Sequence, residues 1–321
     1  MRRWTPQLPI RRPTRVTANG ASGTMHSRLR VQTRTAEHGA TLIDGPALFP
    51  KMRDRKTSDP TRTNELPAPD LASYTEDQLR FAGAAWPMRA AEELRSALIF
   101  RALARAAYQI GVAEPWPSHF AAAVRDEVRH ARLCASVASR FAAGEPCYDV
   151  RPVRARLART PHPVMRVASL LLVEVAMGET ISMVLFRAGR RLAVEPLTRT
   201  ALGLIVADEV QHQALGWEGI AAVWPKLDDR QRGAMQEEAA LGLASCERQT
   251  ALPALRWLQK GQPFEAALGR LGVLSPEVRV ESFYHAVERL VIPRLTHLGV
   301  DGALAWNRRY RTSVISTSPD S

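Results

Sequence analysis

Two stretches decide how this chain reads: Asp126-Glu127-Val128-Arg129-His130 and Asp208-Glu209-Val210-Gln211-His212. Each contains Glu-x-x-His. On a helix, positions three apart share a face, so a carboxylate and an imidazole stand one turn apart and point the same way. The flanking residues identify that face. Around the first motif, Phe120, Val124, Cys134, Val137 and Phe141 fall in line with Glu127 and His130. Around the second, Leu202, Ile205 and Gly216 fall in line with Glu209 and His212. The charged groups therefore lie on apolar stripes and turn inward. A single Glu-x-x-His is most often a surface pair, but two copies on apolar stripes require a common cause. Burying a carboxylate is costly unless it is paired or bound to metal.

Two more helices offer inward carboxylates. On a helical projection of the segment from about Met88 to Ile110, Arg95, Arg101 and Arg105 mark the solvent side. Glu93 falls opposite them with Ala97, Phe100, Ala104 and Ala107, whereas Glu92 falls nearer the charges. In the segment from about Pro163 to Arg191, Arg166, Arg187 and Arg191 mark the solvent side. Glu174 and Glu179 flank the opposite direction about equally, and periodicity does not separate them. Asp126 and Asp208 have two readings, as solvent-facing acids or as acceptors of the spare imidazole N–H groups, orienting His130 and His212. In the second reading Arg129 neutralises an Asp.

The wider chain suits a helical core. It has 321 residues, 45% of them hydrophobic and only 6% aromatic, with abundant Ala and Leu. Residues 1–70 are rich in Arg, Thr, Pro and Gly, show no apolar period, and are expected to form a disordered basic tail. Much of the net charge of +12 sits there, and nucleic acid is not an expected partner. Four long helices are expected over residues 71–228. The second starts behind Ser118 as N-cap and ends near Gly144, and the fourth runs from Pro196 to Trp224. A crossover is expected between Gly144 and Pro163. Further helices near Gln231–Gln259, Phe264–Leu271 and Pro276–Leu298 form a C-terminal extension, residues 229–321, packed on the first four. The apolar run from Val164 to Gly189 is interrupted by Arg166, Glu174 and Glu179, so no membrane span is expected. No export signal is evident and Cys134, Cys147 and Cys246 form no disulfide framework, so the expected location is the cytoplasm.

With these residues in view, the chain resembles the ferritin-like di-iron carboxylate superfamily, which includes ferritins, rubrerythrins and bacterial di-iron monooxygenases. The likeness rests on Trp86 seven residues before Glu93, on Glu93, Ser96 and Phe100, on the run from Asp126 to Cys134, and on Gly178-Glu179-Thr180. Leu94, where such proteins often have His, and Gln211, where the first motif has Arg129, depart from the pattern. The resemblance implies an all-α, ferritin-like four-helix bundle with additional C-terminal helices. It implies two iron ions, with manganese as the alternative, held by Glu93, Glu127, His130, Glu179, Glu209 and His212. The Gly-Glu-Thr match selects Glu179, and Glu174 stands in reserve. Glu127 and Glu209 would bridge the ions, and Glu93 and Glu179 would be terminal. Mixed oxygen and imidazole ligands without thiolate suit Fe(II) or Mn(II).

The implied activity is a non-haem di-iron oxidoreductase that activates O2, an oxidase or oxygenase acting on a small organic substrate and served by an electron-donor protein. The alternative is a ferroxidase, a peroxidase or an iron-handling protein. A homodimer is compatible with either. Three other residues have bland readings: His285 with Glu281 as a surface helical pair, His162 as a loop residue, and Cys134 as a packed core thiol.

Overall fold

A computed structural model describes residues 66–141 and 162–314, all within one of the chain's two compact units, Ile43–Ser321. Among the described residues every regular element is helical. The expected crossover, Cys147 and most of the basic tail lie outside them. Leu66 and Asp70, counted above with the tail, make contacts. Leu66 packs on an apolar cluster, and the Asp70 N–H donates to the Glu195 carboxylate at 3.2 Å.

Helix α1 spans Glu76–Gln109, and Thr75 and Gln78 close a reciprocal cap at its start. It runs unbroken through Pro87 and so begins well before the Met88 start expected from the sequence. Proline forfeits one backbone bond. Here tertiary contacts hold the chain through that gap: Trp86 is fully buried and its indole N–H donates to the Leu271 carbonyl at 3.2 Å. Helix α2, Trp116–Arg140, begins two residues before the expected Ser118 cap, and the Glu114 carboxylate accepts from the Ser118 N–H at 3.3 Å. Helix α3 is Pro163–Leu192, started by His162, whose ring accepts from the Met165 N–H. Helix α4, Pro196–Val223, is capped by the buried Glu195.

The middle of α3 departs from regular α geometry. Leu170–Glu179 winds as a π-helix, with hydrogen bonds reaching five residues instead of four. Helix α3 is long and apolar enough to cross a membrane, with mean hydropathy 1.7 over its most apolar window. However, 72% of that window is buried inside the protein, so its apolar surface is spent on packing. Helix α1 packs on α2, α2 on α4, α4 on α3 and α3 on α1, which closes a ring of four.

Five further segments follow: a short 3-10 turn, then α5 at Asp229–Gln259, α6 at Ala266–Arg270, α7 over 276–298 and α8 at Gly302–Val314. The sequence reading had no counterpart of α8, although Asp301 caps it by accepting from the Leu304 N–H. Helix α5 lies against the π segment of α3 and also carries α7 and α8. Glu247 of α5 joins these three. It accepts from Arg309 Nε of α8 at 2.9 Å and from the Tyr284 hydroxyl of α7 at 2.9 Å.

Glycines permit the tightest contacts. A Cβ on Gly216 of α4 would fall 2.5 Å from the Ala176 backbone nitrogen, and one on Gly242 of α5 would fall 2.6 Å from Val173 Cγ1. The π segment is thus clamped between two helices that each offer bare backbone. The core comes in two apolar clusters, one around Phe100, Trp116, Phe120 and Leu171, the other around Trp86, Leu133, Phe141 and Leu202. On α1, α2 and α4 the residues between the clusters are the charged ones.

Gly216→Ala should lower stability by about 1–3 kcal/mol, because the Ala176 backbone cannot yield as a flexible side chain could. Gly233→Ala, at a helical site with nothing within 4 Å of the added carbon, should raise it by about 0.5–1 kcal/mol. Thermal and urea unfolding of both variants will check the pair, and equal effects would refute the close approach.

Candidate metal centre

The layer between the two clusters gathers Glu93 from α1, Glu127, Arg129 and His130 from α2, Glu179 from α3, and Asp208, Glu209 and His212 from α4. All of these are buried. Glu93, Glu127, His130 and Glu209 form the tightest group, each offering one donor atom within 4.8 Å of the others, and this group can hold a metal ion.

Both histidines turn Nδ1 toward the carboxylates. His130 Nδ1 lies 3.4 Å from Glu93 Oε2, 3.6 Å from Glu127 Oε2 and 3.3 Å from Glu209 Oε1. His212 Nδ1 lies 2.9 Å from Glu127 Oε1 and 3.5 Å from Glu209 Oε2. Glu127 and Glu209 therefore each give one oxygen to one histidine and the other oxygen to its counterpart. Glu93 stands on the His130 side. Glu179 interacts with Glu209, Glu127 and His212. Glu174 is elsewhere: it pairs with Arg95 of α1 at 3.1 Å. The two acids lie five apart within the π segment, one turn apart along it, and only Glu179 is buried in the layer.

The outer ring nitrogens are held crosswise. His130 Nε2 of α2 meets Asp208 Oδ2 of α4 at 3.1 Å, and His212 Nε2 of α4 meets Asp126 Oδ2 of α2 at 3.5 Å. Arg129 joins the two acids, with Nη1 3.1 Å from Asp126 and Nη2 bonded to Asp208. Each imidazole is oriented by the acid of the other motif, an arrangement that spacing along one helix cannot reveal. The sequence reading also missed a network beside Glu179. Thr180 Oγ1 accepts from Gln213 Nε2 at 3.1 Å and from Trp217 Nε1 at 2.9 Å, and donates to the Ala176 carbonyl. Cys134 is a buried thiol, and burial raises its pKa. His162 is a helix cap, and His285 lies on α7 outside the layer.

The inward atoms are poorly satisfied by protein alone. Glu127 Oε1 and Oε2, His130 Nδ1, Glu209 Oε2 and His212 Nδ1 are buried without a hydrogen bond among the described residues, despite their proximity. Their hydrogens and lone pairs do not align with one another, as they must for hydrogen bonding but need not for binding a cation placed between them. Oxygen and imidazole donors without thiolate fit a divalent first-row ion.

The electrostatics follow from the crowding. Burial, reinforced by like charge from Glu127 and Glu209, holds Glu93 and Glu179 well above the ordinary carboxylate value. Burial and Glu209 push Glu127 upward as well, but the two imidazoles bring it below its ordinary value, and they do the same for Glu209. Burial disfavours charge on His130 and His212, yet the surrounding carboxylates raise both well above the ordinary histidine value. The protons held by the raised groups lower the net negative charge that the six inward groups would otherwise carry.

Compared with known families, with curated proteins and with solved structures, the chain has no match in any of the three.

Glu93, Glu179, His130 and His212 hold their protons more tightly folded than unfolded. Stability from these groups is complete at low pH and is lost as pH rises, so the metal-free chain should lose stability as pH rises above about 5. Glu127 and Glu209 act oppositely, and their contribution is lost only in acid. A divalent ion takes the place of the protons, so Mn(II) should raise the melting temperature most at the alkaline end. Thermal melts of chelator-treated and Mn(II)-loaded protein across this range will test it, and a flat profile for the chelated protein would contradict the assignment.

Proposed function

We propose that the four-helix ring is a ferritin-like bundle and that its polar layer holds two iron ions, with manganese as the alternative. The observation that carries this reading is the way Glu127 and Glu209 each span both histidines. It supports one position served by Glu93 and His130 and a second served by Glu179 and His212, with Glu127 and Glu209 shared. The donor set balances the charge: four carboxylates offset two divalent cations, and neutral imidazoles complete the ligands. Asp208 and Asp126 hold the outer N–H of each histidine, which fixes the tautomer and the ring plane. Arg129 bonds to both of these acids.

The activity proposed is that of a di-iron oxidase or oxygenase acting on a small organic substrate. When bound, a ferrous pair supplies two electrons for reducing O2 and so an oxidising centre for the substrate. The protein's part is orientation and exclusion of water. The apolar clusters above and below the layer shield it from water, which limits side reactions at the centre. The partners proposed are O2, the substrate and an electron-donor protein.

Fe(II) loaded anaerobically should reach about two ions per chain, as four carboxylates and two imidazoles suit a di-iron site. A subsequent O2 pulse should oxidise them with a di-ferric optical and Mössbauer signature. Substrate turnover with the metal content held constant supports the oxygenase. Continued uptake well beyond two irons supports iron handling instead, and a chain that takes up no metal, or one zinc, removes the proposal.

The two α3 acids are separable by substitution. Glu179→Ala should lower metal content toward one ion per chain. Glu174→Ala should keep both ions and lose its pairing with Arg95, a change of about 1–3 kcal/mol in fold stability. Metal analysis and melting temperature on both variants decide between them, and the reverse pattern would move the site one turn earlier on α3.

A further inference from the structure

A cavity of about 320 Å³ lies between α1, α5 and the start of α7, outside the polar layer. Its walls are apolar, with Phe81, Trp257 and Phe264 among them, and Phe81 meets the other two rings edge-on at 6.3 and 6.4 Å. Three charged groups face it: Arg89 and Glu92 of α1 and Arg279 of α7.

Arg89 is held firmly without being satisfied. Its guanidinium lies over the Trp86 ring at 4.8 Å, and Nη2 donates to the Gly272 carbonyl at 2.7 Å. Its Nη1 is buried and has no hydrogen-bond partner among the described residues. A cation fixed beside an apolar cavity is costly, and an anionic group in the cavity is what best offsets the cost. The two guanidinium groups face only one carboxylate, so the cavity wall keeps one positive charge in excess. Glu92, exposed at the cavity mouth, prevents the site from accepting a dianion as readily as a monoanion.

We infer that this cavity is a binding site for a small organic monocarboxylate with an aromatic or branched aliphatic body. The carboxylate pairs with Arg279 and lies against the Arg89 guanidinium, and the body lies among Phe81, Trp257 and Phe264. A cavity of about 150 Å³ suffices for benzene, so this one accommodates a body of roughly one to two rings. Glu92 lines the cavity and Glu93, the next residue, belongs to the polar layer, so the acid would sit beside the α1 edge of the proposed metal centre. Binding stands on the cavity alone; only the role of the acid as substrate rests on the di-iron reading.

The test uses the full chain, metal-free and iron-loaded, with 4-phenylbutyrate as the probe and 4-phenylbutanol as its uncharged counterpart, by calorimetry and ligand-observed NMR. The acid should bind metal-free protein at least about tenfold more tightly than the alcohol, the effect of a charge-assisted hydrogen bond. Arg279→Gln should weaken the acid by about tenfold and leave the alcohol unchanged, since only the acid uses the guanidinium. Arg89→Gln should do the same. Because Arg89 also supports Trp86 and Gly272, the Arg279 variant keeps the test valid if the Arg89 variant unfolds. Equal affinity for acid and alcohol, indifference of the acid to Arg279→Gln, or no binding of either probe overturns the inference. Binding to metal-free protein together with failure to load iron would leave this site intact and remove only the di-iron reading.

Discussion

The interior of this protein is cut in two by a layer of charge, and the rest of the architecture answers to that layer. Glu93, Glu127, Glu179 and Glu209 are carboxylates where solvent cannot reach them. Such groups are tolerated only when protons, cations or hydrogen bonds neutralise them. His130 and His212 supply the nearest opposing charge, and Arg129 supplies the next, tying Asp126 to Asp208. Apolar packing on either side closes the layer and strengthens every interaction inside it, because the local dielectric is low. The same closure makes any imbalance expensive.

Helix α3 completes the layer, and it does so by an unusual approach. Its π segment ends at Glu179, and the backbone of α4 at Gly216 comes close enough to exclude any side chain. The contact fixes the depth at which Glu179 enters, opposite Glu209. On the other side Gly242 lets α5 bear directly on Val173 and Met177. The C-terminal helices thus act on the layer mechanically, by pressing α3 inward. The Glu247–Arg309–Tyr284 junction, which joins α5, α7 and α8, keeps that pressure in register.

Much of this was legible in the sequence because it obeyed a regular period. The Glu-x-x-His motifs and Glu93 are placed by α-helical spacing, and their helices wind regularly. The choice between Glu174 and Glu179 was not legible from spacing, because the segment containing both abandons that period. The crosswise pairing of each histidine with the other motif's Asp is a relation between helices, which no single-helix projection contains. Helix α1 was expected from about Met88, whereas it starts at Glu76 and continues through Pro87 with Trp86 fully buried. Helix α8 was missed because Val300-Asp301-Gly302 resembles a turn, although an Asp before an apolar run is also a helix start. The charged cavity could not be foreseen, since Arg89, Glu92 and Arg279 meet only after α7 has returned to α1.

The crosswise pairing also bears on the order in which the chain becomes ordered. His130 waits for Asp208, a partner 78 positions later, and His212 reaches back 86 positions to Asp126. Closing such long loops costs entropy before any contact rewards it, which slows the steps that depend on it. During synthesis, α1 and α2 can pair while α4 is still unmade, and in that interval His130 has only carboxylates of its own hairpin for company. Helices α1 and α2 therefore form an early scaffold, whereas the layer itself matures late, when α4 docks and both imidazoles acquire their acids in a single event.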